Sequence, residues 1–285
     1  MFFIINSGSS SLKFKLYAPS LKETASGLVE RIGLAQPFLK IAVGAEEKKI
    51  EFDSIPDHKS ALSKVFASLK DAGIDASDVK AFGHRVVHGG EEFTAPTVIT
   101  AENLGRLRAY DRLAPLHNPP NLMGIDSCRE LLPKAANVAV FDTAFYRTVP
   151  DYAFMYALPW EYYEKHKIRK YGFHGISHRY VTEQAAKTLK RPYGKLRIVS
   201  CHLGSGSSVT AVKNGKAVDT TMGFTPLEGL TMSTRCGDID PAIPLYMIRT
   251  FKMTEQQVDD VLNKQSGLLA FPATRTCVTS WPPPG

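Results

Sequence analysis

The chain has 285 residues, a net charge of +7 and a hydrophobic fraction of 44%. This length is enough for two domains of ordinary size, and the composition is that of a globular protein with a sizeable core. No apolar run approaches about 18 residues, which argues against a membrane-spanning helix. The basic residues are spread along the chain without runs, so the positive charge suits nucleic acid or a polyanionic substrate, and charge alone does not decide between them.

The four cysteines form no C-x-x-C pair, so neither a zinc site nor a disulfide framework is predicted. The apolar run Phe2–Ile5 follows no basic region, which favours a buried first strand over a secretion signal. We therefore expect a cytoplasmic protein with reduced thiols.

The first half of the chain combines strand patterns with helical ones. The polar turn at residues 6–11 separates two short strand patterns, 2–5 and 12–17, and predicts a β-hairpin. Further predicted strands cover 25–31, 38–42, 50–52, 79–87 and 138–141, and predicted helices cover 58–72, 102–113 and 120–132.

Near Pro150 the strand and helix pattern begins a second time. A helix predicted at 177–190 precedes a strand at 196–201 and a second Gly/Ser turn, Gly204–Ser208. Strands at 209–212 and 217–220 flank Asn214-Gly215, a strong hairpin signal, and a last helix is predicted at 261–269. Two halves that each open with strand, Gly/Ser turn and strand predict a duplicated α/β fold with a cleft between two domains.

The two Gly/Ser turns are candidate phosphate-binding elements. Backbone N–H groups in such turns can approach phosphate oxygens closely, and Asn6 and Lys13 add a polar group and a cation to the first turn. Neither turn is a P-loop or a dinucleotide fingerprint. Alone, each turn serves most simply to reverse the chain, whereas the pair resembles the phosphate loops of actin-like and sugar-kinase-like ATPases.

Four charged or titratable side chains are candidates for chemistry. Arg85 offers a planar fork for a carboxylate or phosphate, although a surface arginine on an edge strand is the simpler interpretation. Asp142 follows a buried strand and could orient a substrate, take part in acid–base chemistry or cap the next segment. His174 stands among glycines, and Arg235 lies in a loop before a helix that Asp240 and Pro241 would begin. Cations of this kind suit phosphoryl transfer, whose transferring group is planar and anionic.

Several long motifs resemble those of the acetate kinase family, in the family's order. They are Asn6–Lys13, GHRVVHGG, LAPLHNPPN, VFDTAF, YGFHGISHRYV, CHLGSGSS, Met222–Leu230 and Thr234–Asp240. The resemblance covers about residues 1–269 and implies the duplicated ribonuclease-H-like fold of actin-like ATPases, with the active site in the cleft between two domains. We expect an N-terminal domain at 1–149 and an incomplete C-terminal nucleotide-binding domain at 150–269.

The resemblance also implies roles for individual residues. Arg85 would bind the carboxylate substrate, and His174 and Arg235 would stabilise the transition state. Asp142 matches a residue that the family treats as a proton donor or acceptor; we interpret it as a positioning group, because a carboxylate acceptor has no proton to lose at neutral pH. A small apolar pocket would be shaped by Val87, Leu116, Phe173 and Pro226.

On the nucleotide side, Asn6 would lie beside Mg²⁺, with Mn²⁺ as a possible replacement, and Lys13 near the phosphates of ATP or ADP. ATP phosphates would be held by His202, Leu203, Gly204, Ser205 and Gly206. The predicted reaction is reversible, direct in-line phosphoryl transfer from ATP to acetate, giving acetyl phosphate and ADP. The family also implies a homodimer, and neither nucleic acid nor membrane is an expected partner.

Two alternatives stay open at this point. The acceptor could be propionate or butyrate, or the chain could be a truncated fragment that at most binds nucleotide. Residues 270–285 depart from the family pattern, which continues with further nucleotide-binding segments. One permitted codon choice for 271–281, read two bases later, encodes PGDSNVRDLL, a sequence similar to the missing segment, so we expect a frameshifted tail.

Overall fold

The computed structural model describes residues 1–271, which divide into two compact units. Unit 1 is Met1–Ala144, and unit 2 begins at Phe145. Within residues 1–271 no helix is both long and apolar enough to cross a membrane. The predicted aberrant tail lies, from residue 272 onward, outside the described residues.

Unit 1 is built on a mixed eight-stranded sheet with the order β5-β4-β3-β2-β1-β6-β8-β7. Its strands are β1 (Phe2–Ser7), β2 (Ser11–Tyr17), β3 (Glu23–Glu30), β4 (Phe38–Val43), β5 (Glu46–Glu51), β6 (Ala81–Val86), β7 (Thr97–Val98) and β8 (Ala136–Phe141). The first five strands form an antiparallel meander, whereas β1, β6 and β8 run parallel to one another. The carboxyl ends of these three strands therefore meet at one edge of the sheet, where α/β folds place their ligand-binding loops.

Three helices pack in unit 1: α1 (His58–Asp71), α2 (Ala101–Arg108) and α3 (Asn118–Leu131). The side chain of Asp57 accepts a hydrogen bond from Ser60 N at 2.7 Å and caps α1, as the predicted helix at 58–72 requires. The apolar face of α1 buries Leu62, Val65 and Leu69 in the same core as the inward residues of β1 and β2.

The single helix predicted at 102–113 is wrong. Helix α2 ends at Arg108, and Asp111–Leu113 forms a separate 3₁₀ turn. The ring of Tyr110 packs edge-on against Phe93, with ring centroids 6.0 Å apart, and lies tight against Gly90. The contact of Tyr110 with this earlier loop explains why the helix ends before residue 110, although the apolar spacing alone predicted that it would continue.

Unit 2 contains a three-stranded antiparallel sheet with the order β11-β10-β9. The strands are β9 (Arg197–Leu203), β10 (Ser207–Lys213) and β11 (Lys216–Thr220), and the helices are α4 (Asp151–Phe154), α5 (Trp160–His166), α6 (Gly175–Thr188), α7 (Ala242–Phe251) and α8 (Glu255–Lys264). Asn214 and Gly215 both have positive φ, 54° and 78°, as a tight two-residue hairpin turn demands. Unit 2 contains the predicted strand, Gly/Ser turn and strand as β9 and β10, but it opens with the helices α4, α5 and α6, so only unit 1 begins with this pattern as predicted.

The ends of the last two helices differ from the sequence prediction. Helix α8 begins after Thr254, whose side chain and that of Gln257 form a reciprocal capping box, and it ends at Lys264 instead of running over 261–269. The T-x-x-Q pattern was available in the sequence as a start signal. Helix α7 begins at Ala242 with Pro241 as its N-cap residue, so the predicted start, with Asp240 as N-cap and Pro241 as the first helical residue, is one position too early. The Asp240 side chain still accepts a hydrogen bond from Ala242 N at 2.8 Å.

Candidate functional site

The first Gly/Ser turn joins β1 to β2 in unit 1. Asn6 and Lys13 are direct cross-strand partners, so their side chains leave the same face of this hairpin. Gly8 N donates to Ser11 O at 2.8 Å and closes the turn, while the buried ring of His58 makes a 2.7 Å hydrogen bond with Gly8 O. The turn is therefore fixed from inside the unit, with Asn6 and Lys13 at its base.

Arg85 and Asp142 form an ion pair at the carboxyl ends of β6 and β8. Arg85 Nη2 lies 2.6 Å from Asp142 Oδ2, and Arg85 Nε donates to both carboxylate oxygens at 3.2 Å. Asp142 is buried, with 1% of its side chain exposed, whereas 36% of the Arg85 side chain is exposed. The charge of Asp142 raises the pKa of Arg85 above its ordinary value. This geometry favours a positioning role for Asp142, because its carboxylate oxygens are engaged by the guanidinium.

Two asparagines that sequence analysis did not single out hold this edge of the sheet. Asn121 on α3 accepts a hydrogen bond from Val87 N at 3.1 Å and donates to Ser7 O at 2.5 Å. Asn118, one turn earlier, accepts from His88 N at 3.0 Å and donates to His88 O at 2.9 Å. Both asparagines are buried, so their amides replace water as partners for backbone groups where β1 and β6 end. The available signal was an N-P-P-N start to a helix, which places both asparagines on one face.

The residues predicted to shape an apolar pocket are divided between the units. Val87 is buried and Leu116 is 52% exposed in unit 1, while in unit 2 Phe173 is buried and Pro226 is half-buried. Each unit thus contains two of the four residues, and neither unit alone holds the whole predicted pocket.

His174 occupies an unusual backbone position immediately before α6 in unit 2. Its φ of 59° lies in the left-handed region, which a residue other than glycine adopts at a cost. The His174 ring stacks on the His202 ring with centroids 4.1 Å apart, and His202 Nδ1 makes a 2.9 Å hydrogen bond with Ser177 Oγ. The two predicted histidines are therefore neighbours in a fixed pair.

The second Gly/Ser turn, between β9 and β10, lies beside this histidine pair and Arg235. A Cβ added at Gly206 would lie 3.4 Å from the His174 ring and 3.5 Å from Arg235 Nη1. Ser233 donates to Ser205 O through both its backbone N (3.2 Å) and its Oγ (3.0 Å), which ties the Arg235 loop to the turn. Burial lowers the pKa of Arg235 from its ordinary value. Unit 2 thus brings together the predicted residues His174, His202, Gly204–Gly206 and Arg235.

The loop that carries Pro226 is held by a polar cluster that sequence analysis missed. The Tyr156 hydroxyl donates to the Glu228 carboxylate and accepts from Phe224 N at 2.8 Å. Lys170 Nζ lies 3.4 Å from the other carboxylate oxygen of Glu228. Arg235 Nη1 in turn donates to Pro226 O at 3.3 Å, so the loop and the arginine support each other.

A metal ion would find few protein ligands here. Within residues 1–271 no group of three or more His, Cys, Asp or Glu side chains is arranged to hold one. Mg²⁺ in phosphoryl-transfer sites commonly binds through one or two protein oxygens, nucleotide phosphates and water. A single amide oxygen from Asn6 fits that donor set and does not fit a metal cage made of protein alone.

Comparisons with known proteins identify the family of this chain. A model of the acetokinase family matches residues 1–278. An acetate kinase of Clostridium botulinum (strain Langeland) is 52% identical over 273 residues, which are 94% of this chain and 68% of that protein. Crystal structures of an acetate kinase from Porphyromonas gingivalis and a propionate kinase from Francisella tularensis are each 41% identical, with TM-scores of 0.87 and 0.90. Each match covers 94% of this chain and 69% of the other. These matches confirm the predicted fold class and show that the chain belongs to the acetokinase family.

Proposed function

We propose that this chain catalyses the reversible ATP-dependent phosphorylation of acetate, giving acetyl phosphate and ADP. The observation that carries the proposal is the 52% identity to an acetate kinase across nearly the whole chain. The arrangement of charged side chains in each unit supports it, since phosphoryl transfer depends on positioned cations and hydrogen-bond donors more than on covalent chemistry.

In unit 1, Arg85 binds the acetate carboxylate through its planar fork. Asp142 holds the guanidinium in place from a buried position and has no proton-transfer role in this proposal. Val87 and Leu116, in the same unit as Arg85, contact the methyl group. Lys13 lies across the hairpin from Asn6 and adds a positive charge near the nucleotide phosphates.

In unit 2, the backbone of the turn at 202–206 binds ATP phosphates, with His174 and Arg235 beside it. These two side chains stabilise the negative charge of the transferring phosphoryl group, which passes directly and in line to the acceptor. Losing one well-placed donor in such a site costs on the order of a hundredfold in rate.

Mg²⁺, or Mn²⁺ in its place, would neutralise phosphate charge when bound, and Asn6 is the described residue proposed to lie beside it. A homodimer and a cytoplasmic location complete the proposal. Light scattering of the purified chain tests the first and cell fractionation the second.

Assay of the purified chain with ATP, Mg²⁺ and acetate, with hydroxylamine trapping of acetyl phosphate, tests the activity directly. Arg85→Ala is expected to raise the KM for acetate and to lower kcat/KM by on the order of a hundredfold, with the KM for ATP unchanged. Arg108→Ala is the matched control, because Arg108 also pairs with an aspartate in unit 1 but lies outside the candidate site. A folded wild-type chain that binds ATP and forms no acetyl phosphate would instead support the nucleotide-binding alternative.

A propionate kinase is the second candidate, favoured by the structural match to the Francisella tularensis enzyme. The two carboxylates differ by one methylene, which a small apolar pocket discriminates by only about 1–3 kcal/mol. The ratio of kcat/KM values for acetate and propionate decides between them, and a ratio in favour of propionate would replace acetate as the proposed acceptor.

A further inference from the structure

A continuous line of hydrogen bonds runs from the core of unit 2 to His174. His178 Nδ1 lies 3.0 Å from Ser200 Oγ, and His178 Nε2 lies 2.8 Å from Ser208 Oγ. The same Ser208 Oγ lies 2.9 Å from His174 Nδ1. His178 and Ser208 are fully buried and Ser200 is 5% exposed, so water does not compete at these three residues, whereas His174 is half-buried. We call Ser200, His178, Ser208 and His174 the histidine–serine line.

The central hydroxyl of this line couples the tautomers of the two histidines. A serine hydroxyl carries one proton, so Ser208 can donate to only one of the two ring nitrogens that contact it. The other ring nitrogen must then carry a proton and donate to Ser208 Oγ. If Ser208 donates to His174 Nδ1, then His178 must be protonated on Nε2. In the opposite arrangement Ser208 donates to His178 Nε2, and His174 must be protonated on Nδ1.

Ser200 decides between the two directions. Its hydroxyl has the His178 ring as its sole hydrogen-bond partner within residues 1–271. If His178 carried its proton on Nδ1, it would donate to Ser200 Oγ and leave the buried Ser200 hydroxyl proton without an acceptor, at a cost of about 1–3 kcal/mol. If Ser200 donates to His178 Nδ1, every proton of the line has an acceptor as far as His174.

The same hydrogen bonds make both rings neutral. When the Nδ1 atoms of His178 and His174 accept from serine hydroxyls, neither ring carries a second proton. His174 stacks on the His202 ring, and Arg235 lies beside the same turn.

We propose that His178 is a positioning residue that acts through Ser208 to hold His174 as the neutral tautomer protonated on Nε2. That nitrogen lies on the side of the ring that faces Gly206, 3.4 Å from the place of an added Cβ. His174 therefore presents an N–H donor to a phosphate oxygen at this turn. The consequence for catalysis rests on the proposed function, whereas the tautomer itself does not.

Nitrogen NMR tests the tautomer without any need for activity. The whole chain is labelled with ¹⁵N-histidine, and ring nitrogens are correlated with ring carbon-bound protons; His174→Gln and His178→Gln spectra assign the signals. We expect His174 and His178 each to show an unprotonated, pyridine-type Nδ1 and a protonated, pyrrole-type Nε2. A wild-type spectrum with a protonated Nδ1 on His174 overturns the proposal, whatever the variants do.

Three serine variants test the coupling. Ser200→Ala removes the far end of the line without touching the His174 ring, yet it is expected to shift His174 toward a mixture of tautomers. Ser208→Ala is expected to do the same directly. Ser177→Ala is the matched control, because it removes a histidine–serine hydrogen bond at His202 and leaves the line intact. An unchanged His174 signal in folded Ser200→Ala refutes transmission through His178.

Kinetics then separate this inference from the proposed function. In an active chain, Ser208→Ala is expected to lower kcat by on the order of tenfold or more, with little change in the KM for acetate, since the affected donor acts on the phosphoryl group. An inactive wild type that shows the expected tautomers refutes the proposed function and supports the tautomer assigned to His174. An active wild type with the opposite tautomer supports the proposed function and refutes the tautomer assignment.

Discussion

Gly124, in the middle of α3, lies against Ser7 at the end of β1. A Cβ added there would stand 2.2 Å from Ser7 Oγ and 3.0 Å from Ser7 Cβ, well inside normal contact. Both residues are buried, and Ser7 is also held by Asn121, so neither element can move away without breaking that hydrogen bond. Gly124→Ala therefore tests how tightly α3 is fitted to the strand that enters the first Gly/Ser turn.

Gly105 provides the matched comparison for this substitution. It is an exposed helical glycine of α2, and nothing lies within 4 Å of its added Cβ. Replacing glycine with alanine inside a helix gains about 0.8–1 kcal/mol of intrinsic helix propensity in both cases, so that gain cancels between the two variants. The remaining difference is the cost of overpacking, about 1–3 kcal/mol. We expect Gly105→Ala to be more stable than the wild type by up to about 1 kcal/mol, and Gly124→Ala to fall below Gly105→Ala by about 1–3 kcal/mol.

Urea unfolding followed by far-ultraviolet circular dichroism measures these differences. Hydrogen exchange of peptides from β1 and α3 shows whether the loss is in unit 1. The double variant Ser7→Gly/Gly124→Ala removes the obstructing side chain, so a double-mutant cycle is expected to show a favourable coupling of about 1 kcal/mol or more. Equal stability of the two alanine variants, or a coupling near zero, would refute the argument from close packing.

Three further predictions concern buried polar groups of unit 1. Burial lowers the pKa of His84 to about 4, so below an unfolded-state pKa of about 6.5 the unfolded chain binds a proton that the folded chain does not. The full stabilisation from this group is present above that pH, and about 2 kcal/mol of it is lost at pH 5. Between pH 7 and pH 5, urea midpoints should therefore show a smaller loss of stability for His84→Gln than for the wild type. The control His166→Gln, at an exposed site, should lose as much stability as the wild type. Asn121→Ala leaves two buried backbone groups without their amide partner and is expected to cost about 2–4 kcal/mol in the same assay, so wild-type stability would contradict the role given to this amide. Asp142→Asn should raise the KM for acetate more than that for ATP while the pH profile of kcat keeps its shape; a lost titration step would instead indicate proton transfer by Asp142.

The helices, strands and turns that depend only on residues adjacent in the sequence were predictable from the sequence. The strand and turn pattern at both Gly/Ser turns, the Asn214-Gly215 hairpin and the helix that begins at His58 follow from local spacing and turn chemistry, and the structure contains all of them. Helix ends were less predictable where a contact with a distant residue intervened, as Tyr110 shows by packing on Phe93. Family motifs, read from the sequence alone, also indicated the family that the comparisons establish.

The partners of the site residues were decided only by tertiary structure. Arg85 and Asp142 are 57 residues apart and meet because β6 and β8 are parallel neighbours in register, a pairing that no local pattern encodes. Asn121 reaches Ser7 across 114 residues, and Ser208 joins His174 to His178 only because β10 pairs with β9, the strand against which α6 packs. A sequence specifies which groups can donate or accept a proton, but a hydrogen bond exists only at contact distance and in a suitable direction, and the packing of the whole unit determines both.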